Sequence, residues 1–304
     1  MGPGSKWLTA IEPDASVTDA ARLTLEARLT AVAHYLPLAA YHAEQDTEHV
    51  HRLRVSTRRA GAALELYRDW LPGKRARWVN KRLKKIRRAA GEARDLDVLT
   101  ERLAREYGER AAKISPIVAE ERSRVQSDIV QIAERSRRDD RFVRKTARLI
   151  ASIEPPEEIE AQPNPPRFRD WADEQLEHVA ESFFESIPAD SSDMAALHQF
   201  RIQAKKLRYA MELLAAAFGS ELREVHYPVV EEVQERLGRI NDHVAARDRF
   251  RTWATADKFA AQKDVLCALA EDELALLAEK IREFHEWWTP SLAEELSDKL
   301  AHSA

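Results

Sequence analysis

Two pairs of short segments, held at one spacing, constrain this chain more than anything else in it. HRLRVSTRR begins at His51 and HQFRIQAKK at His198; AGEARDLDV begins at Ala90 and LGRINDHVA at Leu237. Both pairs are 147 residues apart, and the His-to-Gly separation is 40 residues in each copy (His51 to Gly91, His198 to Gly238). Two motifs held at one offset point to an internal duplication, because each copy then has to build the same local structure. The expectation is two similar helical bundles packed about a pseudo-twofold axis.

The fold class follows from the residues between the motifs. Long stretches favour Ala, Leu, Glu, Arg and Lys, all strong helix formers, and there are only 8 glycines in 304 residues. Runs of β-branched residues bounded by turn signals are almost absent, so strands are not expected. Apolar periodicity predicts helices near 16–37, 46–70, 74–107, 110–137 and 139–152, then near 168–187, 193–218, 224–253, 257–286 and 290–301. Pro72-Gly73, Pro188, Gly219 and Pro290 punctuate them. Five prolines between Ile153 and Phe168 exclude a helix interior there. The prediction is an all-α chain of two antiparallel four-helix bundles: a tail over 1–15, a first half over 16–152, a Pro-rich linker over 153–167 and a second half over 168–304. The opening GPGS reads as tag-derived and is set aside.

On a helical wheel at about 100° per residue, Leu53, Ala60, Leu64, Tyr67 and Leu71 share one face of the first motif helix. Phe200, Leu207, Met211, Leu214 and Phe218 share the matching face of the second. These are the core stripes. His51, Arg54 and Arg58 share a different face, and His198, Arg201, Lys205 and Arg208 repeat it. Side chains three and four residues apart are neighbours at about 5–6 Å, so each row crowds like charges. A solvated face with carboxylate partners would relieve that, and Glu65 and Glu212, further along the rows, are candidates. Finding the row twice, each time headed by histidine, favours a ligand instead: a linear polyanion, gripped by forked arginine donors and compact lysine charges. The histidines themselves read equally well as structural residues or as phosphate ligands.

The following helix is stronger in copy one. Val79, Leu83, Ile86 and Ala90 form its apolar stripe, with Lys74, Arg77, Lys81, Lys84, Lys85 and Arg88 opposite. In copy two, Glu231, Glu232 and Glu235 align with Lys84, Lys85 and Arg88, so the halves are not equivalent. From His51 to Arg94 there are 15 Lys and Arg against three carboxylates, an excess of 12; with a total of −4, the rest of the chain carries about −16. Such asymmetry fits a local polyanion site on an acidic body. Asp95 and Asp242 are expected to hold row cations by charge-assisted hydrogen bonds, with metal or acid–base work as the alternative. Gly91 and Gly238 suggest close helix approach. A third row, Arg137, Arg141, Arg144 and Arg148, reads as a solvent face, or else as an extension of the binding track.

Catalysis is not expected. No HExxH, P-loop or GxSxG pattern occurs, so no catalytic residue, metal or cofactor is assigned. A metal-dependent phosphohydrolase using Asp95 or Asp97 is the lesser alternative. Nucleic acid is the nearer one, disfavoured because the rows carry no aromatic for base stacking. A protein client on the acidic surface is a third. The single cysteine, Cys267, fits a reducing compartment. With neither an apolar run of membrane length nor a signal-peptide core, the expected location is the cytoplasm.

HRLRVSTRR and HQFRIQAKKLRY, with AGEARDLDV and LGRINDHV at their distances, resemble the CHAD family, the conserved histidine α-helical domain, over about Ser16 to His302. The resemblance implies two four-helix bundles around a basic central cavity that binds inorganic polyphosphate, and in some members association with polyphosphate granules and their protein clients. Carried over by position, the implied ligands are His51, Arg54, Arg58, His198, Arg201 and Lys205. Arg59, Lys206, Arg208, Lys81, Lys84, Lys85 and Arg88 are implied as helpers. Many relatives are fused to a CYTH triphosphatase domain with an ExExK strand motif. Neither the motif nor its strands is found, so activity on triphosphate is not carried over.

Overall fold

Proline and glycine set the boundaries of the helices. Ser16 caps α1 (Val17–Tyr41), its Oγ accepting from the Asp19 amide at 3.0 Å. α2 (Glu48–Leu66) and α3 (Gly73–Arg102) flank the Pro72 turn. Then come α4 (Ser115–Asp139), α5 (Arg141–Ile150), the single turn α6 (Glu157–Glu160) and α7 (Phe168–Glu185). α8 (Met194–Leu214), α9 (Tyr227–Ala254), α10 (Lys263–Trp287) and α11 (Pro290–Ala301) complete the chain. The computed structural model describes residues 4–189 and 193–301. Met1, Gly2, Pro3 and the expected limit of the second half at 302–304 lie outside the described residues. Among the described residues there is no β-strand, only an isolated bridge between Ser16 and Arg167, so the chain is all-α as predicted.

Three local departures have physical reasons. α1 runs four residues past Pro37, its predicted end. Pro37 sits on the exposed side of the helix, where the lost backbone donor is tolerated better than in a buried turn. α3 gives way at Leu103–Tyr107 to a π-helical turn, and Gly108 then takes a left-handed conformation (φ +49°) that glycine adopts without strain. The proline-rich stretch contains α6 and is tied down at both ends. Arg22 donates to the Ile153 carbonyl at 2.7 Å, and the Phe168 amide to Ala15 at 2.9 Å.

The described residues divide into two compact units. The first holds 4–106, 115–172 and 212–217; the second holds the remainder. In the first unit, α1 packs on α2 and α4, α3 packs on α2 and α4, and α5 lies against α1, α3 and α4. The predicted core stripe is buried throughout: Leu53, Ala60, Leu64, Tyr67 and Leu71 on α2 and beyond, and Val79, Leu83, Ile86 and Ala90 on α3. Trp171 stacks on Tyr67 with ring centroids 4.9 Å apart and meets Trp70 edge-on. In the second unit, Phe183 of α7 stacks on Phe200 of α8 at 5.0 Å, and Phe284 and Trp288 close the cluster from the α10 side. α9 packs along α10. Phe200, Leu207, Met211 and Leu214 are buried as predicted, whereas Phe218 is half-buried.

Each unit also contains a glutamate with no exposed surface. In the first, Glu212 accepts from Arg59 Nε at 2.6 Å, with Arg28 close enough to interact electrostatically. Burial, then the neighbouring Arg59, pushes the Arg28 guanidinium down to about 10, and Glu212 opposes both. Arg28 also donates to the Ser5 and Lys6 carbonyls at 2.5 and 2.9 Å, so the segment read as a tail is bound to this unit. In the second, Glu273 accepts from Tyr107 Oη at 2.9 Å and pairs with His243 Nδ1 at 2.7 Å. Removing one partner of a buried ion pair leaves the other uncompensated. Glu212→Ala is therefore expected to destabilise the fold by about 3–5 kcal/mol, measured by urea denaturation; a loss below about 1 kcal/mol would show that Arg28 and Arg59 find other partners.

Candidate functional site

α2 presents its cations along the flank next to α3. His51, Arg54 and Arg58 are half-exposed. Burial pushes the His51 imidazole below its ordinary value of 6.5; Glu48 opposes this, while Arg94, Arg54 and Arg58 reinforce it. His51 therefore sits in a positive field drawn from two helices. Arg54 is held by Asp95 of α3 at 2.9 Å, the positioning role expected of that aspartate. Arg59 turns inward to buried Glu212 and to the Gly4 carbonyl at 3.3 Å. Its guanidinium is committed to the core, unlike those of Arg54 and Arg58.

Glu65 and Glu212, predicted as equivalent partners on a solvated face, have different fates. Glu65 is exposed and pairs with Arg68 at 3.3 Å, whereas Glu212 is in the core.

The cations of α3 separate onto different sides. Lys81, Lys84, Lys85 and Arg88 are all exposed. Lys85 and Arg88 line a cleft toward α4 shared with Asp128 and Arg135, and Arg88 pairs with Glu92 at 3.2 Å. The flank beside α2 belongs instead to Arg87 and Arg94. Arg87 Nη1 lies 4.0 Å from where a Cβ on Gly61 of α2 would be, and Arg94 acts on His51. Sequence reasoning missed both as site residues. The available signal was their separation by seven residues, two helical turns along one face.

Gly91 stands on that same flank, four residues after Arg87 and three before Arg94. A Cβ at Gly91 would meet nothing within 4 Å, and the same holds for Gly238. Neither glycine marks a close helix approach, and α3 and α9 run through them unbroken. The expectation of close approach is corrected: Gly91 floors an open strip between two arginines.

The second unit is less positive. His198 and Lys206 are exposed, and Arg201 and Lys205 half-exposed. His198 and Arg201 border a small cavity of about 100 Å³ with Leu237, Ile240 and Asn241 of α9. Arg208 reaches Tyr227 Oη at 3.1 Å and Glu231 at 3.5 Å. Glu232 pairs with Arg236 at 2.6 Å and Glu235 with Arg239 at 3.8 Å. These three glutamates of α9 are thus engaged by nearby arginines.

Asp95 and Asp97 face different helices: Asp97, 8% exposed, accepts from Arg122 of α4 at 2.6 Å. Among the described residues no group of three His, Cys, Asp or Glu side chains could hold a metal ion. The third row is split. Arg137 lies on α4, and Arg141, Arg144 and Arg148 lie on α5 beyond Asp140, whose backbone is left-handed (φ +46°). All four are exposed. No helix among the described residues is long and apolar enough to cross a membrane.

A family model described as CHAD domain matches residues 24–251. Two proteins of Mycobacterium tuberculosis, described as uncharacterized, are each 28% identical over 244 residues, covering 77% of this chain and 46% of their own length. The chain therefore spans about half the length of these curated relatives. Among solved structures, the CHAD domain from the plant Ricinus communis superposes with a TM-score of 0.72 at 22% identity, covering 99% of this chain and 96% of that one. PptA from Streptomyces chartreusis superposes at 0.59 and 18% identity, covering 89% and 99%. These likenesses establish the fold.

If Gly91 and Gly238 serve no steric purpose within the fold, alanine should be accepted at both. Gly91→Ala and Gly238→Ala are each expected to raise stability by about 0.5–1 kcal/mol, the ordinary gain in a helix interior, read as a higher urea midpoint with unchanged slope. A drop in the midpoint would reveal a contact that the open space does not suggest.

Proposed function

The chain belongs to the CHAD domain family, and on that premise we propose that it binds inorganic polyphosphate without turning it over, at polyphosphate granules and among the proteins gathered there. The observation that carries this reading is the strip on the first unit where α2 and α3 meet. His51, Arg54 and Arg58 line one side, Arg87 and Arg94 the other, and Gly91 leaves the floor open. Arginines are well suited to phosphate, since their planar forks can each take two oxygens. The crowding costs energy in the free protein and is relieved by an anion, so the interaction is greater with ligand than without. Lys81 and Lys84 add charge from the exposed side of α3. On the second unit, His198, Arg201, Lys205 and Lys206 supply a weaker row. Arg59 and Arg208 act indirectly, by holding the row helices through Glu212 and Glu231.

Charge reversal tests the site. Arg54→Glu and Arg201→Glu are each expected to weaken retention of long-chain polyphosphate in a filter-binding assay by about tenfold or more. Neutralising a contacted cation should also flatten the dependence of log affinity on log salt by about 1. Unchanged affinity in both variants would remove the rows from the site.

His51 gives the reading a pH signature. Its pKa is lowered in the free protein, so the neutral form is favoured. Its stabilising contribution is present above 6.5 and lost as pH falls through the lowered value. A bound phosphate favours the imidazolium and raises that value, so binding takes up a proton. Affinity should rise as pH falls from about 7.5 through the region below 6.5, and His51→Gln should reduce the slope. Equal slopes in the two proteins would make His51 a structural residue.

A further inference from the structure

The first unit contains a cavity that polyphosphate binding does not use. It has a volume of about 320 Å³ and opens between α3, α4 and α5, with Leu36 of α1 at its base. Its walls are apolar: Ile86, Ile132 and Phe142 join Leu36, and Trp78 of α3, half-exposed, forms one side. Its rim is cationic. Arg82 and Arg141 stand over the Trp78 ring at 5.3 and 5.8 Å, with Lys145 at 5.5 Å. Arg135 and Arg138 of α4 join the rim, and no carboxylate is among the described lining residues. The left-handed joint at Asp140 separates Arg138 from Arg141, and both reach the mouth of the cavity. A non-glycine residue in that conformation costs free energy, so the joint is held there by what surrounds it.

An apolar chamber with an aromatic wall and a cationic rim has a definite chemical complement. A bare phosphate chain gains from the rim and nothing from the walls. An uncharged aromatic gains from the walls and leaves the cations crowded. We propose that this cavity is a second ligand site that takes a mononucleotide, the base against Trp78 and the phosphates on Arg135, Arg138 and Arg141. Base stacking on an aromatic ring is tolerant of base identity, so the site selects nucleotide over inorganic phosphate more than one base over another. The phosphates lie on the α4–α5 side because the adjoining cleft, which shares Lys85, Ile132 and Arg135 with the cavity, is bordered by Glu92 and Asp128. The proposal is independent of polyphosphate binding at the α2–α3 strip.

Calorimetric titration of the full chain with ATP, tripolyphosphate and adenosine, at one salt concentration and with the α2–α3 strip first filled by one equivalent of long-chain polyphosphate, tests it. ATP is expected to bind at least about tenfold more tightly than either of the others, the gain that stacking supplies. Ser136→Phe, which places a ring in the cavity while keeping every cation, should bring ATP down to the level of tripolyphosphate and leave retention of long-chain polyphosphate unchanged. Trp78→Ala should act in the same direction. ATP and tripolyphosphate binding equally to the unaltered protein would overturn the proposal, and so would an ATP preference that survives both substitutions. The first comparison needs no variant, so the test stands even if a substitution impairs folding.

Discussion

A carboxylate with no exposed surface has to be compensated where it lies, and Glu212 imposes that requirement on the first unit. Its partner Arg59 comes from α2, and Arg28 of α1 lies within electrostatic reach. Arg28 in turn fixes the backbone at Ser5 and Lys6. One buried negative charge therefore sets the positions of the N-terminal segment, α1 and α2 together. Hydrophobic burial supplies the larger energy, but it is tolerant of small shifts, whereas a 2.6 Å ion pair in the core is not. Because Arg59 directly follows Arg58, anchoring the one on the core side leaves the other on the flank beside α3. The core ion pair and the exposed row are two sides of a single helix.

The same economy appears in the cations themselves. Arg54 is aimed by Asp95, Arg122 by Asp97, and Arg208 by Glu231. The row on the first unit keeps more positive charge than the row on the second, since α9 supplies glutamates where α3 supplies lysine and arginine. The asymmetry read from aligned residues thus has a structural counterpart: Glu231 draws Arg208 inward, while nothing acidic aligns with it at Lys84.

The helices were legible in the sequence because their apolar residues recur at the helical period and prolines and glycines fall between them. Leu53, Leu83 and Phe200 could be assigned to the core from spacing alone. The burial of Glu212 could not, since Glu65 aligns with it at the 147-residue offset and is exposed. What separates them is the presence of Arg28 and Arg59 around one and solvent around the other, a tertiary fact. Gly91 and Gly238 carry a related ambiguity. A helical glycine signals either a close neighbour or open space, and the chain alone does not say which. Arg87 and Arg94 lie within a dense run of positive charge, where the count of cations is legible and the direction each one faces is not. Trp78 was hidden the same way, among the cations that surround its ring.

The division between exposed lysines of α3 and arginines of α2 and α3 tied to carboxylates has a kinetic consequence. Lys81 and Lys84 stand in solvent on long flexible stems, where they act at a distance and fade with added salt. Arg54 and Arg94 are partly enclosed and each is tied to a carboxylate, Asp95 and Glu101. For an incoming polyanion, the first group governs how often encounters occur and the second how long each one lasts. If the strip binds polyphosphate as proposed, chains would be captured rapidly at low ionic strength, and raising the salt would slow their arrival before it hastened their departure.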